Sequence, residues 1–103
     1  MTHFSKVVVG DHDTSVSDGE QKVAPKEWII HPDYKKANRF DNDFAIIKLA
    51  APVKFSYRVA PICLPSASAN YDNRVATVTG WGRLSYKGKR PTILQKVYIA
   101  SLI

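Results

Sequence analysis

No segment of this 103-residue chain carries apolar residues at the helical spacing over three turns, and this absence constrains its fold more than any other feature. Apolar residues occur instead in short runs or alternate with polar ones, and Gly, Pro or small polar residues follow the runs. Val75–Trp81 alternates most regularly, which is typical of a strand with one covered face. The pattern therefore predicts an all-β, antiparallel fold.

Five segments are predicted to be extended, and polar segments join them. The extended segments are Lys6–Val9, Lys22–Ile30, Phe44–Leu49, Val75–Trp81 and Leu94–Ile99. Pro25 interrupts the second of them, which suits an edge position or a bulge. The third is almost continuously apolar, which predicts a strand that is buried on both faces or lies in a barrel wall. The loops and turns are expected at Asp11–Glu20, His31–Tyr34 and Ser66–Asn73.

The length of the chain allows one domain at most, because domains typically run to about 100–150 residues. No apolar run approaches the roughly 18 residues that a membrane span needs, so no membrane partner is expected. The first residues, Met1–Val7, do not read as a secretory signal. The apolar pattern still continues at Ser101–Ile103, which predicts that the chain is truncated at this end.

Fifteen Lys and Arg against nine Asp and Glu give the chain a net charge of +6. The basic residues are spread along the chain except for one block without acids, which consists of Arg83, Lys87, Lys89, Arg90 and Lys96. Gly88 and Pro91 within the block predict an exposed basic loop, which can steer acidic partners. A nucleic-acid-binding module usually gathers its basic residues on one face together with aromatics, so no nucleic-acid partner is expected.

One cysteine, Cys63, lies between Pro61 and Pro65 in an extended, exposed connector. A single cysteine cannot form a disulfide within the chain. The sequence therefore leaves three alternatives open: a reduced compartment, a disulfide partner outside this chain, or a chain that has been cut short.

A carboxylate precedes the apolar run at Asp41-Asn42-Asp43. A buried carboxylate is costly unless it is paired or hydrogen-bonded. One interpretation is a turn residue at the entry to the strand. The other is a carboxylate that orients a histidine.

Taken in order and spacing, the motifs resemble those of the chymotrypsin/trypsin-like serine peptidases, from Val7 onward. They are His31-Pro32-Asp33-Tyr34, Asn42-Asp43, Ala51-Pro52-Val53, Val59–Pro65 and Gly80-Trp81-Gly82. The resemblance implies part of a double six-stranded β-barrel. Residues 1–62 would form the second half of the first barrel, and residues 63–103 the interdomain crossing and the first strands of the second. The sequence looks most similar to invertebrate extracellular members of the family, and this resemblance implies a secreted protein.

The resemblance carries two site residues over to this chain. Asp43 matches the aspartate of the Ser-His-Asp triad, and Phe40 matches a position that lines the substrate groove. In the family's template the histidine precedes that aspartate by about 45 residues and the serine follows it by about 93, so both fall outside this chain. The histidines that are present, His3, His12 and His31, are interpreted as structural or exposed, and no Ala-Ala-His-Cys or Gly-Asp-Ser-Gly-Gly motif occurs.

The implied function is therefore that of a fragment of a serine endopeptidase that acts on peptide or protein substrates and is inactive on its own. The alternative is a non-catalytic homologue that acts as a binding or regulatory module. The resemblance also implies that Cys63 bridges to a cysteine outside this chain, and Ala76 stands where many members carry another cysteine.

No cofactor is required, but the acidic loop is a candidate calcium site. It begins like an EF-hand and then departs from that pattern, with Val16 where Gly is needed and Lys22 where Glu is needed. Some members of the family bind calcium in this loop, and the ligands would be Asp11, Asp13, Val16, Asp18 and Glu20. Here the first ligand is Asp rather than the longer Glu, and the loop is one residue short before its last ligand. The alternative is a solvated acidic turn.

Overall fold

The computed structural model describes residues 5–100, and His3 and Ser101–Ile103 lie outside them. Six strands form three antiparallel two-stranded ribbons, β1–β2, β3–β4 and β5–β6. The strands are β1 (Val7–Val9), β2 (Gln21–Val23), β3 (Pro25–Ile30), β4 (Ala45–Leu49), β5 (Val75–Gly80) and β6 (Gln95–Ala100). The described residues contain no helix, and so none that could cross a membrane. The prediction of an all-β, antiparallel fold is confirmed.

The predicted extended segment Lys22–Ile30 consists of two strands, which end and begin on either side of Ala24. The strands have different partners, because β2 pairs with β1 and β3 pairs with β4. The β3–β4 register shifts between Pro25 and Glu27, as expected for a bulge beside a residue that has no N–H to donate.

The contacts of the chain divide it into two compact units. Unit 1 comprises Glu20–Val59 and the N-terminal residues up to Gly10, and unit 2 comprises Asp11–Gly19 and the residues from Ala60 onward. The loop between β1 and β2 therefore belongs to a different unit from the two strands that it joins. The assignment of residues 1–62 and 63–103 to two barrels stays a prediction.

The prediction of a strand at Phe44–Leu49 is confirmed for Ala45–Leu49. Of its two alternatives, burial on both faces is wrong for the described residues of unit 1, and a place in a barrel wall stays a prediction. Ile46 in β4 is 59% exposed, and Ile47 is exposed as well. β4 pairs with β3 along one edge, and no second layer of described residues covers its faces. Within residues 5–100, Val59 is the one buried apolar residue, at 9% exposure.

The β5–β6 ribbon in unit 2 has one apolar and one more polar face. Val78 lies opposite Val97, and Ala76 lies opposite Ile99, so their side chains share one face. The other face carries the pairs Thr77–Tyr98 and Thr79–Lys96. The alternation seen in the sequence therefore appears directly in the structure, although the apolar face is exposed.

We expect Gln21→Ala to destabilise unit 1 by about 1–2 kcal/mol. The Gln21 side-chain amide donates to the Lys54 carbonyl at 2.8 Å, and its oxygen accepts from the Lys54 backbone N–H at 2.8 Å, so one side chain satisfies two backbone groups. Urea unfolding would measure the loss. Gln21→Met, which keeps the length of the side chain, should lose as much, and a Met variant of wild-type stability would contradict a role for these bonds.

Candidate functional site

Asp43 lies at the centre of a tight turn directly before β4. The Phe44 backbone N–H donates to the Asn42 carbonyl at 2.8 Å, across the aspartate. Asn42 has a φ of 52°, a left-handed conformation that asparagine adopts more readily than most residues. The Asp43 side chain is exposed, and within residues 5–100 its carboxylate has no hydrogen-bonding or ionic partner. Its oxygens are therefore open to accept a donor.

Backbone groups of the preceding loop hold this turn in place. The Asn42 side-chain amide donates to the Asp33 carbonyl at 3.3 Å, and the Lys35 N–H donates to the Asp41 carbonyl at 3.3 Å. The Asp41 N–H in turn donates to the Asn38 carbonyl at 3.0 Å. Residues 33–43 thus form a closed loop that positions Asp43. The Asn42-Asp43 motif predicted the aspartate, but it did not indicate that Asn42 helps to position it.

His31 links the start of this loop to its end. Its Nδ1 accepts the Asp33 backbone N–H at 3.0 Å, and its backbone N–H donates to the Phe44 carbonyl at 3.2 Å. Its ring meets the Phe44 ring edge to face, with centroids 4.7 Å apart. Because Nδ1 is an acceptor here, the proton of the neutral imidazole is on Nε2. This ring contact was not predictable from the sequence, since residues 13 apart carry no periodic signal.

Phe40 lies in the same loop as Asp43 and is 70% exposed. Its N–H donates to the Asn38 side-chain oxygen at 3.2 Å, and the Arg39 guanidinium lies 4.7 Å from the centre of its ring. An exposed aromatic ring of this kind could contact an extended peptide. Its groove-lining role stays a prediction.

Four of the five predicted calcium ligands lie in the loop of unit 2. Asp11 Oδ1 is buried and has no hydrogen-bond partner, and Asp18 Oδ1 is buried as well. The Ser15 hydroxyl and backbone N–H donate to Asp13 Oδ1 at 2.7 and 3.0 Å, and these bonds lower the pKa of that carboxyl below its ordinary 3.8. Their contribution to stability is complete above the ordinary value and is lost as the pH falls through the lowered pKa.

Glu20 belongs to unit 1, where its side chain is 5% exposed and its Oε1 lies 2.9 Å from Lys22 Nζ. Hard oxygen donors suit calcium, and Asp11 Oδ1 is a buried oxygen without a hydrogen-bond partner. Against this, no three Asp, Glu, His or Cys side chains of residues 5–100 converge on a metal position. The calcium site stays a prediction.

The same loop makes hydrogen bonds with the segment that connects β5 and β6, and the sequence did not indicate them. The His12 carbonyl accepts the Leu94 N–H at 2.8 Å and the Trp81 indole N–H at 3.4 Å. The Thr14 N–H donates to the Thr92 carbonyl at 3.0 Å. The Gly-Trp-Gly motif thus places its indole against a loop that lies far away in the sequence.

Cys63 is exposed, and no disulfide involves it within the described residues. Its neighbours Ile62 and Leu64 are each 89% exposed, and no strand includes them. The predicted exposure of this connector is confirmed, and its extended conformation stays a prediction. The bond to a cysteine outside this chain stays a prediction.

Known proteins that match this chain in sequence and those that match it in fold point to the same family. The trypsin family model matches residues 2–102. The chain is 43% identical over 96 residues to Serine protease filzig of Drosophila melanogaster, which covers 89% of this chain and 6% of that protein. It is 39% identical over 97 residues to a venom serine protease of Polistes dominula, covering 88% and 34%, and 37% identical over 95 residues to Trypsin-1 of Astacus astacus, covering 91% and 39%.

A solved structure of GrC superposes with a TM-score of 0.85 at 29% identity, over 92% of this chain and 42% of that one. The chain thus spans well under half the length of the relatives that it matches. The motifs around Asp43, the antiparallel strands and these matches agree with one another, and the chain belongs to the trypsin family of serine proteases.

Proposed function

We propose that this chain is a segment of a secreted, trypsin-like serine endopeptidase and that Asp43 is the acid of its catalytic triad. The observation that carries the proposal is an exposed carboxylate without a partner, held by a closed loop at the position that matches the family's aspartate. The venom origin of one relative supports secretion.

In this proposal Asp43 accepts the Nδ1–H of a histidine supplied by polypeptide outside residues 1–103. The carboxylate holds the imidazole in the tautomer whose Nε2 takes the proton of the attacking serine, and it stabilises the imidazolium that forms. Phe40 contacts the peptide substrate beside that histidine. Asp43 itself stays ionised throughout, and the serine forms and releases the acyl-enzyme.

Two experiments test this proposal. The coding sequence around this segment should contain Ala-Ala-His-Cys upstream and Gly-Asp-Ser-Gly-Gly downstream, whereas a Gly in place of that Ser would identify the non-catalytic homologue. The purified 103-residue chain should neither cleave a peptide substrate nor react with a fluorophosphonate that labels active-site serines. Hydrolysis by this chain alone, blocked by such a reagent, would refute the assignment.

We further propose calcium binding by the acidic loop, on the strength of the buried Asp11 oxygen. Titration calorimetry with millimolar Ca²⁺ should show heat that Asp11→Asn removes. Glu20→Gln should weaken the same signal, while Glu27→Gln, at an exposed acid outside the loop, should leave it unchanged. No heat from the wild-type chain, or heat that neither loop variant alters, would leave the solvated acidic turn as the correct interpretation.

A further inference from the structure

The whole net charge of the protein lies in its last 31 residues. Residues 1–72 contain nine basic and nine acidic residues and are neutral. Residues 73–103 contain six basic residues and no acid, which equals the +6 of the entire chain. The β5–β6 ribbon and its connecting loop therefore form a basic surface, here called the basic ribbon, whose members are Arg74, Arg83, Lys87, Lys89, Arg90 and Lys96.

All six side chains of the basic ribbon are exposed. No ion pair within residues 5–100 involves any of them. Arg74 precedes β5 at one end of the ribbon, Lys96 lies on its more polar face, and the other four lie in the loop at the opposite end. Because β5 has six residues, the charges extend over about 20 Å. This spread suits a linear polyanion better than a single anionic group.

The basic loop contains a hydrogen-bonded turn, and its charged side chains are exposed. The Gly88 N–H donates to the Ser85 carbonyl at 2.9 Å, and Arg83 Nη1 donates to the Gly88 carbonyl at 2.7 Å. A Cβ on Gly88 would lie close to Ser85 Oγ and 3.1 Å from the Ser85 carbonyl oxygen, so glycine fits this turn with the least crowding. Lys87, at a φ of 57°, stands at the tip. No described hydrogen bond uses the side chains of Lys87, Lys89 or Arg90, which leaves these three cations free to contact a ligand.

The aromatic residues of this surface are already engaged. The Lys87 ammonium lies 5.5 Å from the centre of the Tyr86 ring, and the Lys96 ammonium lies 5.5 Å from that of Tyr98. The Trp81 indole donates to the loop of residues 11–19. Single-stranded nucleic acid binds by stacking its bases on aromatic ring faces, and here a lysine ammonium lies over each of the two tyrosine rings. Protein interfaces are depleted of lysine, and here lysine supplies half of the charges.

We propose that the basic ribbon binds a linear sulfated polysaccharide. Guanidinium forks match tetrahedral oxyanions in geometry, and the lysines add point charges. The inference is independent of the catalytic assignment, because it uses none of the residues around Asp43.

The test compares two triple variants of the full chain that both lower its net charge from +6 to +3. Lys87→Gln/Lys89→Gln/Arg90→Gln removes charges from the basic ribbon, and Lys26→Gln/Lys48→Gln/Lys54→Gln removes exposed charges from unit 1. Calorimetry in 0.15 M salt, an ordinary physiological strength, would use heparin as the probe. We expect the ribbon variant to bind about tenfold more weakly and the unit 1 variant to bind within about twofold of wild type.

Further probes separate the alternative ligands. Desulfated heparin, polyglutamate and oligo(dT) should each bind about tenfold or more weakly than heparin. A second measurement uses wild-type chain only: heparin should slow chymotryptic cleavage after Tyr86, which is 91% exposed. If the two triple variants lost heparin affinity equally, binding would depend only on net charge, and the proposal would be overturned. Tighter binding of oligo(dT) or polyglutamate than of heparin would overturn it in favour of a nucleic acid or an acidic protein.

Discussion

Asp43→Asn in the complete peptidase is expected to lower kcat by about 10⁴-fold, the loss known for the equivalent aspartate in this family. An amide in place of the carboxylate presents a donor to the histidine and so favours the wrong tautomer. In the proposed mechanism Asp43 contacts the histidine and not the peptide, so the loss should fall on kcat, with KM changed little. Steady-state kinetics on a peptide ester and a peptide amide would measure it.

Asp41→Asn is the matched control for that experiment. Both acids are exposed and lie in one loop, but Asp41 is held through its backbone groups, so its variant should keep activity within about twofold. Thermal unfolding should be alike for both variants. Comparable activity in the Asp43 and Asp41 variants would contradict the triad assignment.

Gly10→Ala is expected to destabilise the protein by about 2–4 kcal/mol. Gly10 has a φ of 74°, where a Cβ is strained, and that Cβ would lie 2.8 Å from Val59 Cγ2. Val59 is the buried apolar residue of the described part of the chain, so it has little room to move. The midpoint of urea unfolding would report the loss.

Two comparisons separate the causes of this effect. Gly82→Ala, whose Cβ would meet nothing within 4 Å, should change stability by less than about 0.5 kcal/mol. Adding Val59→Ala to Gly10→Ala should remove the clash but not the backbone strain, so the double variant should lose less than the two single losses combined. Full additivity would show that Val59 and the new methyl group do not meet.

β1, β4, β5 and β6 were predictable because each is a short apolar or alternating run. Val75–Gly80 shows this best, since its alternation in sequence becomes one apolar and one polar face in the ribbon. The position of Asp43 was predictable for a different reason, because the Asn-Asp pair belongs to a specific series of motifs. From composition alone, Asp43 would have been interpreted as a turn residue at the entry to the strand.

The features that could not be predicted depend on partners distant in sequence. Burial of β4 was expected from its composition, but composition reports only that a strand can be buried, and burial requires a covering layer. The split at Ala24 follows from the choice of partner strands, which no local pattern encodes. The contact of His31 with Phe44, and the buried oxygen of Asp11, likewise depend on tertiary placement.

The docking of the loop of residues 11–19 on the segment that connects β5 and β6 has a consequence for synthesis. His12 and Leu94 are joined by a backbone hydrogen bond, yet ribosomes add about 5–20 residues per second, so the earlier residue emerges roughly 4–16 s before its partner. Contacts with this sequence separation also close late in folding. Nascent chains stalled before residue 92 should therefore exchange the amide hydrogen of Thr14 freely, whereas chains released after Leu94 should protect it.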